Sequence, residues 1–191
     1  MANKDAAFGL RAIGKVGQNR DNQGLSEYSI AASATAIYQW DPVEMAATGT
    51  ITVAAATDTL LGSLNGVFYT DASTSKPTWA NHLNASNTAT DTVGFVSDDP
   101  YERFEIQSNN AGASNANDVF AVADIAYAAG STPDYISGVE LNDSTIANGS
   151  SATLQILGAS KDPSNNDVGS ANVNWVVRIN EHELDMNVNG V

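Results

Sequence analysis

The chain has 191 residues, enough for one sizeable domain or one domain with an arm. Hydrophobic residues make up 42% and charged residues 16%, and Lys and Arg together number only 8, so the chain is apolar enough to fold but is poor material for a helix bundle. A formal net charge of −14 repels phosphate and argues against nucleic acid and anionic membranes as partners, and the absence of cysteine excludes disulfides, thiolate metal sites and thiol nucleophiles.

The charge is unevenly spread. Residues 1–25 carry Lys4, Arg11, Lys15 and Arg20 against Asp5 and Asp21, a local +2, while the remainder sums to −16. Such acidity serves solubility, or complements a basic partner surface. Within 1–25, Gly9, Gly14, Gly17 and Gly24 disfavour a helix and separate the apolar Phe8, Leu10, Ile13 and Val16. The segment reads as an extended basic arm, either a loose terminus or a strap laid on a partner or a neighbouring copy. Arg11 and Lys15 interrupt any apolar run of signal-peptide kind, and nowhere is there a stretch near the length of a membrane helix, so the chain reads as a cytoplasmic product.

Residues 26–191 read as a single β-rich domain. Short strands are predicted over 26–31 and 36–40, then, past the Asp41-Pro42 break, over 43–45. Thr50-Ile51-Thr52-Val53 alternates with the period of a half-buried strand. Residues 60–70 form a strand whose Gly62 and Gly66 mark a bulge or bend. Residues 71–91, polar around Pro77 and Trp79, read as a long loop of the kind that carries interfaces. Strands follow at 92–97 and 101–108, joined by the Asp98-Asp99-Pro100 turn, with Phe104 and Ile106 facing the core. Residues 109–117 form a second loop. The Ala-rich 119–127 reads as strand or short helix, and 136–141, 152–157 and 173–180 as strands, with Trp175 in the core. Many short strands with regular turns predict an all-β fold, an antiparallel barrel or sandwich of β-tulip or jelly-roll-like form, with the extended N-terminal arm.

Catalytic patterns are missing. There is no phosphate-binding glycine loop, no G-x-S-x-G elbow and no H-E-x-x-H. His182 in Glu181-His182-Glu183 lacks convergent ligands and reads as a polar strand exit or an inter-subunit hydrogen bond. Asp98-Asp99 is turn chemistry rather than a pair of carboxylates set across a substrate. The oxygen-rich 161–167 loop lacks the spacing and glycine of a calcium-binding loop. Trp79 is the aromatic most open to an exposed contact role.

Several segments, in order, carry a resemblance. They are Asn3-Lys4-Asp5-Ala6-Ala7-Phe8-Gly9-Leu10-Arg11, Asp41-Pro42-Val43, Gly49-Thr50-Ile51-Thr52-Val53-Ala54-Ala55-Ala56, and Leu61-Gly62 with Gly66-Val67-Phe68-Tyr69. Asp98-Asp99-Pro100 with Phe104-Glu105-Ile106-Gln107, Leu154-Gln155-Ile156-Leu157-Gly158 and Val177-Arg178-Ile179-Asn180-Glu181-His182-Glu183-Leu184 complete the series. From about residue 3 to 184 the chain resembles small structural proteins of marine tailed bacteriophages, the capsid decoration or cement proteins.

The resemblance implies a virion protein, made in the host cytoplasm and bound on the capsid exterior. Its partners would be the major capsid protein and copies of itself, as a homotrimer or another symmetric oligomer. It implies no catalytic residue, cofactor or metal. Candidate contacts to the capsid or between subunits are Lys4, Phe8, Leu10, Arg11, Ile13, Lys15, Arg20 and Trp79. The alternatives are a carbohydrate-binding module on the virion surface, recognisable by aromatic residues clustered on one exposed face (Trp79 and Tyr69 supply part of one), and a tail or head-completion component.

Overall fold

A computed structural model describes residues 2–16, 24–110, 114–149 and 151–185. Its strands are β1 (Arg11–Lys15), β2 (Ser26–Ser29), β3 (Pro42–Ala46), β4 (Thr50–Val53), β5 (Gly62–Thr70), β6 (Pro77–Ala80) and β7 (Val93–Ser97). They continue as β8 (Glu102–Gln107), β9 (Val122–Ala123), β10 (Ile125–Ala126), β11 (Glu140–Leu141), β12 (Leu154–Ala159) and β13 (Asn174–Ile179). The only helical elements among the described residues are 3-10 turns at Ala116–Asp118 and Asp143–Thr145. The fold is all-β, and no helix is long and apolar enough to cross a membrane.

One antiparallel sheet runs β2-β7-β5-β3-β4, with β6 alongside the far half of β5. Its ends meet through a bridge between Ile30 and Ile51, so it curls around its own core of Ile30, Ile37, Val43, Ile51, Leu61, Leu64, Val67, Leu83 and Val96. The second sheet runs β1-β8-β13-β12-β9. It too returns on itself: β9 pairs with β12, the adjoining β10 pairs with β11, and Leu141 of β11 bridges Ser108 at the end of β8. Inside lies a separate core that includes Leu10, Phe104, Ile106, Leu154, Trp175 and Val177.

Period-two alternation sets these cores. Phe104 and Ile106 on β8 and Trp175, Val177 and Ile179 on β13 all point inward. Consecutive leucines divide between the cores, Leu60 entering the second and Leu61 the first. The chain is pinned at that junction, because the Leu60 amide donates to the carbonyl of Glu181 and the Glu183 amide to the carbonyl of Leu60.

Several elements differ from the sequence reading. The 71–91 loop contains β6, because Asp71 accepts from the amides of Ser73 and Thr74 and turns the chain back onto β5. Residues 36–40 make only the isolated bridges Ile37–Leu83 and Gln39–Ile136, since Trp40 takes a left-handed φ of 66° that ends any strand. Of 136–141 only Glu140–Leu141 is strand, and 119–127 resolves into β9 and β10. The bend read from Gly66 is a register shift between Leu64 and Gly66. Of the 109–117 loop, residues 111–113 lie outside the described residues.

Residues 3–16 are extended, but along the chain's own body. Asn3 donates to the carbonyls of Asp167 and Ala171, and the Ala6 amide donates to Gln107. The Gly9 amide bonds Val139, and β1 then pairs with β8 from Arg11↔Glu105 to Lys15↔Glu102. Gly9 has φ 74°, and a Cβ there would lie 2.3 Å from the Trp40 carbonyl oxygen, so no other residue fits this crossing.

Candidate functional site

The outer face of the second sheet carries the first candidate surface. Side chains that alternate away from Phe104 and from Trp175 and Val177 point outward, and these include Arg103 on β8 and Val176 and Arg178 on β13. Arg11 on β1 lies opposite Glu105 and ion-pairs with it, while its guanidinium sits 4.7 Å from the Phe8 ring centre. Arg178 donates to the side-chain oxygen of Gln155 at 2.8 Å. The ion pairs among the described residues are Arg11–Glu105 and Lys15–Asp99, so neither Arg103 nor Arg178 is ion-paired there even though the chain is strongly acidic, and Arg103 reaches Glu102 only through its longer-range charge. Arg103 lines a shallow groove of about 300 Å³ together with Val16, Leu157, Gly158, Ala159 and Val176. A bulge between Ala12 and Gly14 in β1 leaves Ile13 unpaired and turned out, 45% exposed.

The predicted contact residues therefore divide. Arg11, Ile13 and Lys15 lie on or beside this face, Lys4 is exposed and Phe8 half-buried. Leu10 is a correction: its side chain is 0% exposed in the second core, so it packs inside the chain's own fold rather than on its surface. Arg20 lies outside the described residues. Arg103 and Arg178 are additions that single-sequence reading missed, because only the pairing of β1, β8 and β13 brings them together.

Trp79 marks the second surface. It is 69% exposed on β6, directly opposite Phe68 of β5. Its ring packs against Phe68 with 5.0 Å between centroids and stacks on Phe95 of β7 at 4.9 Å and 23°. Beside the stack runs an open groove of about 490 Å³ lined by Leu25, Asn65, Gly66, Trp79, Ala80, Asn81 and Phe95. Tyr69 does not take part, because it packs against the first core. Phe68 and Phe95 point outward because their neighbours Val67 and Val96 point in.

The acidic and histidine residues singled out in the sequence have structural partners. Asp98 accepts from the Tyr28 hydroxyl at 2.6 Å, and burial with this bond pushes the tyrosine up to about 12. Asp99 accepts from the Tyr101 amide and pairs with Lys15. In the 161–167 loop Asp162 closes a turn onto the Ser164 amide, and Asn165 holds the carbonyls of Lys4 and Asn172. His182 is 2% exposed and its Nδ1 accepts from the Leu184 amide, while burial lowers its pKa. The ring caps its own turn just beyond β13, the place of a polar strand exit, and its Nε2 is buried without a hydrogen-bond partner among the described residues. No group of His, Asp and Glu among the described residues is arranged to hold a metal ion.

Other carboxyls carry burial costs. Glu44 is pushed up to about 7, first by burial and then by the charge of Asp58. Burial raises Asp41 to about 6 and Asp143 to about 6. His82 lies flat on Tyr135, 3.7 Å between ring centres and 2° between planes, with Nδ1 against the Asn81 side-chain oxygen.

Set against protein-family profiles, curated proteins and solved structures, the chain matches none.

Proposed function

We propose that this chain is a structural protein of a bacteriophage virion that decorates the outside of the capsid and stabilises the shell. The observation that supports this reading is the arginine-bearing face of the second sheet, where Arg103 lines an apolar groove, Arg178 lies on the same face, and neither is ion-paired with another described residue on an otherwise acidic body. Arginine beside small apolar side chains is the composition of a protein contact, since the guanidinium reaches carboxylates in a fixed fork while its stem covers apolar surface. The partner is the major capsid protein. Copies of the chain arranged as a symmetric oligomer on the shell multiply a weak contact into stable occupancy. No step of this role is catalytic.

The test is rebinding of the purified protein to capsids stripped of it, with copies located and counted by electron cryomicroscopy. The reading expects regular occupancy of the outer lattice by the unmodified chain, and loss of it for the Arg103→Glu, Arg178→Glu double variant. Copies found in the tail or at the portal vertex instead would overturn it in favour of a tail or head-completion role.

A further inference from the structure

We propose that the Trp79–Phe95 face is a binding site for a neutral glycan. It lies on the first sheet, shares no lining residue with the groove beside Arg103, and does not rest on the capsid reading. The stack is built before any ligand arrives. Trp79 is held between Phe68 and Phe95, whose strands are joined through the long β5 ladder, so the indole face is fixed in place. Cross-strand packing accounts for the pairing of Phe68 with Trp79 but leaves the outer face of a 69%-exposed indole unexplained.

The groove beside it, about 490 Å³, is of ligand size and is open along its length. Its apolar lining is Leu25, Trp79, Ala80 and Phe95, and its polar side chains are the amides of Asn65 and Asn81, with no charged residue. Asn81 is already tied to Gln39, to the carbonyl of Asp134 and to His82, whereas Asn65 makes no side-chain hydrogen bond to another described residue.

This chemistry selects the ligand. With no cation in the lining and an acidic chain around it, the groove does not attract phosphate, sulfate or uronate groups. With no carboxylate in the lining it offers a basic peptide nothing to pair with. A pyranose ring presents a face of C–H bonds, whose positive ends suit the negative face of an aromatic ring, and an edge of hydroxyls that a neutral amide both donates to and accepts from. The patch is also small. A stable protein dimer buries about 800 Å² on each partner, whereas the apolar lining here is four side chains, which one or two sugar rings cover.

The experiment titrates the full chain with cellohexaose, maltohexaose and mannohexaose, following tryptophan emission for the unmodified chain and isothermal titration calorimetry for the unmodified chain and both variants, with alginate as the anionic probe. Of the three tryptophans Trp175 is fully buried, Trp40 is half-buried, and Trp79 is the one that lines the groove, so a ligand there acts on Trp79. At least one neutral hexasaccharide is expected to shift the emission saturably, alginate is not, and Trp79→Ala is expected to weaken binding at least tenfold. Asn65→Ala, a second variant that leaves the stack intact, is expected to weaken it several-fold. No response to any neutral hexasaccharide, stronger binding of alginate, or unchanged affinity in both variants would overturn the proposal. So would sedimentation showing that the face is covered by a second copy which Trp79→Ala releases. Loss of glycan binding with full rebinding to capsids separates this site from the capsid reading.

Discussion

The hydroxyl of Ser63 donates a 2.5 Å hydrogen bond to the backbone carbonyl of Leu10, 53 residues away along the chain. Ser63 belongs to the first sheet, and the Leu10 side chain is fully buried in the second core, so this bond joins the two curled halves. The Leu10 amide adds to it by donating to Trp40.

The N-terminal segment is thus a structural strap, and its removal is expected to cost the fold. Leu10→Ala should destabilise by about 2–5 kcal/mol, the usual range for emptying a buried leucine site. Ser63→Ala should cost about 1–3 kcal/mol by taking a donor from a buried carbonyl. Because the residues touch, the double variant should lose less than the sum. Urea denaturation of the four proteins reads all three. A deletion of residues 1–12 that kept the parent midpoint would show that the strap is dispensable.

Stability should rise on mild acidification. Asp41 and Asp143 at about 6 and Glu44 at about 7 all hold a proton more tightly in the fold than in the unfolded chain, because burial penalises their charged forms. Where the native state binds more protons, unfolding free energy falls as pH rises. Their contribution is fully present below about pH 4, the carboxylate range of the unfolded chain, and is lost through about pH 6 to 7. Asp71, held down to about 2 by bonds from Ser73 and Thr74, acts in the opposite sense and loses its share only in stronger acid. His82 and His182, whose charged forms burial also penalises, oppose the gain as the unfolded histidines take up protons below about pH 6.5, but the larger shifts of the three carboxyls outweigh them. The urea midpoint should therefore be higher at about pH 5 than at about pH 8, and Asp41→Asn should reduce the difference. An equal or higher midpoint on the alkaline side would contradict this assignment.

What the sequence made legible follows its periodicities. Thr50–Val53 alternates cleanly and forms β4 with those bounds, and Phe104, Ile106 and Trp175 reach the core because their neighbours are polar or outward-facing. β6 stayed hidden because it is four residues long, starts at Pro77 and depends on β5 for its pairing. The strap was misjudged where Leu10 is concerned, since scattered apolar residues between glycines look alike whether they lie on a partner or on the chain's own core. Of the aromatic face only Trp79 could be singled out. Phe68 and Phe95 join it through strand register, and register is a long-range property that no local pattern encodes.

Tryptophan substitutions should separate core from surface. Trp175 is fully buried, and Trp175→Ala should cost about 3–5 kcal/mol. Trp79→Ala removes an exposed indole and its two aromatic contacts, with Phe68 and Phe95, and should cost about 1–2 kcal/mol, well below Trp175→Ala. Thermal or urea unfolding checks both. A large loss for Trp79→Ala would mean that the aromatic stack is built for the sheet rather than for a ligand.

Arg103 gives the sharpest test of the contact face. An exposed arginine with no ion pair among the described residues contributes little to folding, so Arg103→Glu should lower the unfolding midpoint only slightly, through repulsion with Glu102. If the face meets carboxylates of a capsid subunit, the same change places like charge against like charge, and shell occupancy should fall at least tenfold at low salt. Raising the ionic strength should weaken rebinding of the unmodified chain, since exposed charges are screened over about 10 Å at 0.1 M salt. It should weaken that of Arg103→Glu much less, because the attraction being screened is already gone. Rebinding measured across a salt series for both proteins decides the matter: parallel salt curves would place the contact elsewhere on the molecule.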